Sequence, residues 1–186
     1  LSREQRTAPV LSGRIDEERL RTILGSIILP STVDEWFLCG PFSLVDQNGA
    51  RVTEKTFAGR PVLLYFGYTT CPDVCPLDLA RIGQIARRLH SAGIDVKPIF
   101  VSVDPERDTP ERLKPYVEFF GAGFSGLTGT PEEIAKIGDE YHVYYRKVPT
   151  ADGSSYMIDH STMLFLLDAS GAYLDHYGRA LSIDEI

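Results

Sequence analysis

The chain has 186 residues, 43% of them hydrophobic and 24% charged, which is ordinary for a globular protein with one proper core. Its 26 acidic residues against 19 basic ones leave a net charge of −7. That excludes the basic face a nucleic-acid binder needs. No apolar run approaches the roughly 18 residues of a membrane span; "TILGSIIL" and "PVLLYFGY" are short and read as core. No basic start, apolar centre and small-residue exit mark a leader. The expectation is a cytosolic chain, or the trimmed form of a targeted one.

Residues 1–38 read as an irregular segment, with a short helix expected over 14–28 and Pro30 after its end. From Pro41 the pattern sharpens. "PFSLVDQNGARVT" alternates apolar and polar residues about Asn48-Gly49, a strong hairpin signal. "PVLLYFGY" (61–68) is a continuous apolar run and predicts a strand covered on both faces. "PLDLARIGQIARRLHSAG" spaces Leu79, Ile82, Ile85, Ala86 and Leu89 for a helix that stops at Gly93. "VKPIFVSVD" is a second buried strand, completing a strand–helix–strand unit and hence a parallel pair. "TPERLKPYVEFFG" and "TPEEIAKIGDEY" are two successive helices, each opened by a threonine cap and a proline. "YHVYYRKV" reads as a strand, "PTADGSSY" as a turn, "STMLFLLD" and "ASGAYLDHY" as paired strands, and "SIDEI" as a helix cut at its first turn. The order β-β-α-β-α-α-β-β-α predicts one α/β sandwich.

The chemistry is expected at "YFGYTTCPDVCPLDLARI" (65–82). Of three cysteines, Cys71 and Cys75 stand four apart, where the strand gives way to the helix. In open α/β sheets this strand end is where sites form. Because Pro76 restricts Cys75 to non-helical backbone, the expected helix starts with Cys75 as cap and Asp78 in the first turn. Both sulfurs then lie near a helix N-terminus, which favours thiolate. The spacing admits a shared metal as well as a disulfide. Buried packing suits a lone cysteine better than a pair between two prolines.

Of the four histidines, His90 is expected to be solvated, His142 structural and His176 an edge residue. His160 stands apart, just before the apolar strand "STMLFLLD", with Asp159 available to orient its ring. In a parallel sheet its loop could face residues 71–75. "VDPERDTPER", with Asp104, Glu106 and Asp108, could pass for a calcium or magnesium loop, but a turn capping the next helix accounts for it better. The aromatic clusters "YHVYY" and "EFF" read as core.

Together, "YFGYTTCPDVCP", "VSVDPERDTPERLKPYV", "GLTGTPEEI", "YRKV" and "DHSTMLFLLDASGAYL" resemble the Sco/SenC family of copper proteins, from about Cys39 to the end. "GPFSLVDQNGARVTEKTFAGRPVLLYFGY" fits the family's entry into its domain. The resemblance implies a thioredoxin-like α/β sandwich over 39–186, with an added N-terminal hairpin and an inserted β-hairpin, preceded by the segment 1–38. It implies one copper, Cu(I) or Cu(II), held by Cys71, Cys75 and His160, a donor set that suits a soft ion. It implies a carrier that helps build the binuclear copper centre of cytochrome c oxidase, delivering copper to the receiving subunit, reducing that subunit's cysteines through Cys71 and Cys75, or both. Such proteins are tethered by an N-terminal membrane helix on the periplasmic side of the bacterial inner membrane or in the mitochondrial intermembrane space. The tether is missing here, which reads as a trimmed soluble form, expected to be monomeric. Cys39 falls where the family commonly has glycine and is expected to be idle.

Three rival readings fit less well. A thiol–disulfide oxidoreductase without a metal would normally put two residues between its cysteines and a proline ahead of "IDHSTMLFLL". A peroxiredoxin needs threonine where Tyr68 stands. Structural zinc wants four closed ligands, and Cys39 is poorly placed as the fourth.

Overall fold

A computed structural model describes residues 42–121 and 123–178. The chain opens with a hairpin, β1 (Ser43–Asp46) and β2 (Arg51–Thr53), in antiparallel register Leu44↔Val52. Its turn is held by Asp46, whose carboxylate accepts the backbone N–H groups of Asn48 and Ala50 at 2.9 Å each, and Gly49 takes the positive φ of 81°. A 3-10 turn, Glu54–Phe57, leads to β3 (Val62–Gly67), every residue of which is buried. Helix α1 (Val74–Ser91) then returns the chain to β4 (Lys97–Ser102), parallel to β3 with Tyr65 opposite Phe100.

Helix α2 (Pro110–Phe120) follows, then β5 (Ser125–Thr128) and α3 (Pro131–Glu140). Thr130 caps α3 with a reciprocal box, accepting from the Glu133 N–H while the Glu133 carboxylate accepts from the Thr130 N–H. A separate hairpin comes next, β6 (Tyr145–Pro149) and β7 (Tyr156–His160), in which Tyr145 faces His160. β8 (Leu164–Leu167) and β9 (Tyr173–Tyr177) end the described chain. The main sheet has the order β2-β1-β5-β4-β3-β8-β9, with β3, β4 and β5 parallel and the flanking strands antiparallel. This is a thioredoxin-like sandwich with both expected hairpins, one at its N-terminal edge and one inserted before β8. Among the described residues no helix is long and apolar enough to cross a membrane.

Four details depart from expectation. "SGLT", between α2 and α3, is a strand, although two successive helices were expected; the stretch is short and its Gly126 disfavours a strand, and pairing with β4 and β1 on its two sides makes it one. Helix α1 begins at Val74 with Asp73 as N-cap, so Cys75 lies inside the first turn rather than capping it; Pro76 is tolerated there because first-turn N–H groups have no helical acceptor. The strand expected from Tyr141 starts only at Tyr145, since Tyr141 closes α3 and His142 adopts a φ of 52°. Residues 156–160 are paired strand rather than turn and loop. The expectations for residues 1–38, Cys39 and "SIDEI" lie outside the described residues.

Candidate metal centre

The strand β3 ends at Gly67, and its last residues bring the next turn directly under α1. Cys75 is fully buried in the first turn of that helix, and Cys71 is almost as buried in the loop before it, its N–H donating to the Tyr68 carbonyl at 3.3 Å. Gly67 is required by the close approach. A Cβ there would stand 2.8 Å from Cys75 Sγ and 3.0 Å from the Phe100 ring, so this strand end can pass the sulfur only without a side chain.

His160 arrives from the opposite direction, at the end of β7. Its Nε2 lies 3.3 Å from Cys75 Sγ, and the two sulfurs and one imidazole nitrogen all fall within 4.8 Å of one another. Metal–sulfur and metal–nitrogen bonds are about 2.3 and 2.0 Å, so one ion can reach all three atoms. Among the described residues these are the group of His, Cys, Asp and Glu so placed. The ring is fixed in two ways. Its Nδ1 stands 2.8 Å from the Ser161 carbonyl; a carbonyl only accepts, so Nδ1 carries the proton and the Nε2 lone pair faces the thiols. Tyr65 and Tyr68 meet the imidazole edge-on, with centroids 6.4 and 5.8 Å away. Asp159, expected to orient the ring, is instead exposed, because strand alternation turns residue 159 away when 160 faces inward.

The two sulfurs are not equivalent. Cys71 is pulled well below the usual thiol range, chiefly because its sulfur accepts a hydrogen bond from Cys75, with the backbone at Cys75 and Asp73 adding to it. Cys75 is pushed up, because the proton it gives to Cys71 is held there and because burial penalises a second charge. The resting pair is therefore thiolate at 71 and thiol at 75, not two thiolates. An ordinary thiol gains thiolate about tenfold per pH unit below its pKa of about 8.5, whereas Cys71 is already ionised at neutral pH. Limited iodoacetamide labelling of reduced protein should thus modify Cys71 first, at a rate nearly flat between about pH 6 and pH 8. Peptide mapping that finds Cys75 labelled first, or a tenfold rise per pH unit, would contradict this assignment.

The loop "DPERD" does more than turn the chain. The turn is present, with Arg107 and Asp108 N–H donating to the Asp104 carbonyl, and Thr109 caps α2. The carboxylates of Asp104 and Asp108, however, are fully buried and point across the molecule. Asp108 accepts from the Thr69 N–H at 2.8 Å, the Thr69 hydroxyl at 2.5 Å and the Ser102 hydroxyl at 2.6 Å. These contacts fix the loop two residues ahead of Cys71. The sequence signal was there: carboxylates that follow a buried strand and are buried with it must find partners.

Fold and site together define a thioredoxin-like protein whose active-site loop carries two sulfurs, joined by an imidazole from an inserted hairpin. The model of the SCO1/SenC family matches residues 32–186, and the chain belongs to that family. It is 43% identical over 148 residues to SCO2-like protein RP587 of Rickettsia prowazekii, covering 79% of this chain and 72% of that one. Against the mitochondrial SCO1 homolog of Homo sapiens it is 41% identical over 144 residues, covering 76% of this chain but 48% of the human protein, so it spans about half of that relative's length. Among solved structures, Arabidopsis thaliana ScoI with copper bound superposes with a TM-score of 0.75 at 42% identity, covering 78% of this chain and 90% of that one. BsSco, described as having a disulfide switch and as a member of the Sco family of cytochrome c oxidase assembly proteins, superposes with a TM-score of 0.59 at 27% identity, covering 75% and 81%.

Proposed function

We propose that this protein carries copper through Cys71, Cys75 and His160 and serves the assembly of cytochrome c oxidase. The convergence of two sulfurs and one imidazole nitrogen within 4.8 Å carries this reading; the copper-bound relative and the family's assembly role support it. Two sulfurs and a nitrogen suit Cu(I) and can also hold Cu(II). Three protein donors leave coordination open, so a receiving subunit can supply its own ligand before the carrier lets go. The copper domain spans residues 39–186 with 1–38 as an N-terminal segment, and the family match beginning at residue 32 is compatible with that division. The protein acts as a monomer whose partner is the copper-receiving subunit. Its place is the periplasmic side of a bacterial inner membrane or the mitochondrial intermembrane space; relatives named as mitochondrial support the second.

The unequal sulfurs favour a second task at the same site. The Cys71 thiolate can attack one sulfur of a partner disulfide, expelling the other partner sulfur as thiolate. Cys75 then loses its proton and attacks Cys71, expelling the first partner sulfur. Two electrons pass to the partner, and Cys71–Cys75 becomes a disulfide. Reduction readies a receiving site and oxidation closes the carrier to copper.

The test is titration of reduced protein with copper under inert gas. One ion per chain is expected, and Cu(II) should bring a strong visible sulfur-to-copper band. His160→Ala should weaken Cu(II) binding by about ten- to a hundredfold and alter the band while leaving the disulfide able to form. A titration with no saturable site, or an unchanged band in His160→Ala, contradicts the reading.

A further inference from the structure

The thiols and the imidazole come from elements that are not paired with one another in any sheet. Cys71 and Cys75 belong to the loop and helix after β3, whereas His160 sits on a two-stranded hairpin outside the main sheet. An isolated hairpin is only marginally stable. Something must therefore set where His160 stands relative to the sulfurs: Ile158 is buried in the core and its backbone bonds the Tyr68 hydroxyl, and the loop 104–108 adds a second tie.

Arg107 is the centre of it. Its Nη1 donates to the Tyr156 carbonyl at 3.0 Å, at the start of β7, and its Nε pairs with the buried Asp104 carboxylate. Its guanidinium carbon lies 3.8 Å from the Tyr156 ring centroid and 5.9 Å from that of Tyr68. Tyr156 closes the loop by donating its hydroxyl to Asp104 Oδ1 at 2.8 Å. Outside, Lys147 of β6 pairs with Glu106 at 2.6 Å and covers the same tyrosine ring at 4.7 Å. Both hairpin strands are thus tied to three residues of one turn, Asp104, Glu106 and Arg107. The other end of that turn, Asp108, grips Thr69 ahead of Cys71. One rigid five-residue segment holds the sulfur loop by one hand and the imidazole strand by the other.

On the reading that Cys71, Cys75 and His160 bind copper, we infer that Asp104, Arg107 and Tyr156 are positioning residues: they clamp the hairpin to the loop after β4 and so set the imidazole at bonding distance from the sulfurs. They touch no ligand atom themselves. An alternative part for this segment, that of merely terminating β4 and starting α2, would need none of the contacts to Tyr156 or Lys147. A lysine at 107 could not substitute, since it lacks the planar fork that serves a carboxylate, a carbonyl and a ring face at once.

The test uses Arg107→Gln and the milder Tyr156→Phe, which keeps the ring and removes only the hydroxyl, each alone and combined with His160→Ala. In copper-free protein, amide hydrogen exchange at residues 156–160 should quicken about tenfold or more in Arg107→Gln, while β3 and β4 amides stay protected. Cu(II) affinity should fall about ten- to a hundredfold, and in Tyr156→Phe a few-fold. In the His160→Ala background, Arg107→Gln should add less than about twofold, because a clamp on an absent ligand has nothing to lose. Unchanged exchange at 156–160 overturns the inference, as does an equal loss of affinity in both backgrounds. If His160→Ala alone leaves copper binding intact, the ligand assignment is what fails, and the copper-free exchange measurement then decides the clamp by itself.

Discussion

Replacing either Cys71 or Cys75 by alanine is expected to weaken copper binding by more than about a thousandfold, a loss of about 4 kcal/mol or more. The sulfurs supply the soft, charged donors, and the imidazole alone cannot discriminate for a soft ion. Once one sulfur is gone, a chelate of three becomes a pair, and the local concentration that held the second sulfur over the ion is lost with it. The two variants fail differently. Cys75→Ala removes the S–H that stabilises the Cys71 thiolate, so residue 71 should drift back toward an ordinary thiol and lose its flat labelling profile. Cys71→Ala leaves Cys75 fully buried, with desolvation still raising its proton affinity against the opposing hydrogen bonds from the Tyr68 backbone and the Tyr65 side chain. Isothermal or competitive titration under reducing conditions measures the effect, with circular dichroism to confirm folding. Affinity within tenfold of the parent in either variant would mean that the pair does not share an ion.

Much of this site was legible in the sequence because its members obey local rules. A wholly apolar strand followed at once by Cys-Pro and a helix puts sulfurs at the C-terminal end of a buried strand whatever the rest of the chain does. Asn48-Gly49 fixes its hairpin by backbone demands that few other residues meet. The motif-level resemblance then joined His160 to a pair 85 residues away, a juxtaposition no periodicity encodes. What stayed hidden depends on tertiary neighbours. "SGLT" becomes a strand only because β4 and β1 offer it partners on both sides. Asp159 seemed to orient the histidine because it is adjacent in sequence, yet adjacent strand residues face opposite ways, and the Ser161 carbonyl does the work. Asp104, Glu106 and Asp108 read as a turn capping the next helix; that this segment bridges two ligand carriers shows only when Tyr156 and Thr69 are brought beside it.

The largest effect on stability is expected away from the ligands, at Asp108. Its carboxylate is fully buried, and its two oxygens take three donors from Thr69 and Ser102, whose hydroxyl in turn receives the Asp104 N–H at 3.0 Å. Asp108→Ala leaves those donors facing an apolar gap, and unmade hydrogen bonds to a buried charged group are expensive, here about 3–5 kcal/mol in sum. For a chain of this length each kcal/mol moves the melting point by about 2–4 °C, so Tm should drop by about 6–20 °C. Asp108→Asn keeps the shape but offers one acceptor oxygen and a donating NH2 where two acceptors are needed, and should fall between. Thermal melts of reduced, copper-free protein give the answer, since no ligand then stabilises the folded form. Because the same contacts hold Thr69 two residues ahead of Cys71, Asp108→Asn should also raise the accessibility of Cys71 to iodoacetamide. A variant that melts as the parent does, with Cys71 labelled no faster, would show that the sulfur loop keeps its shape without this anchor.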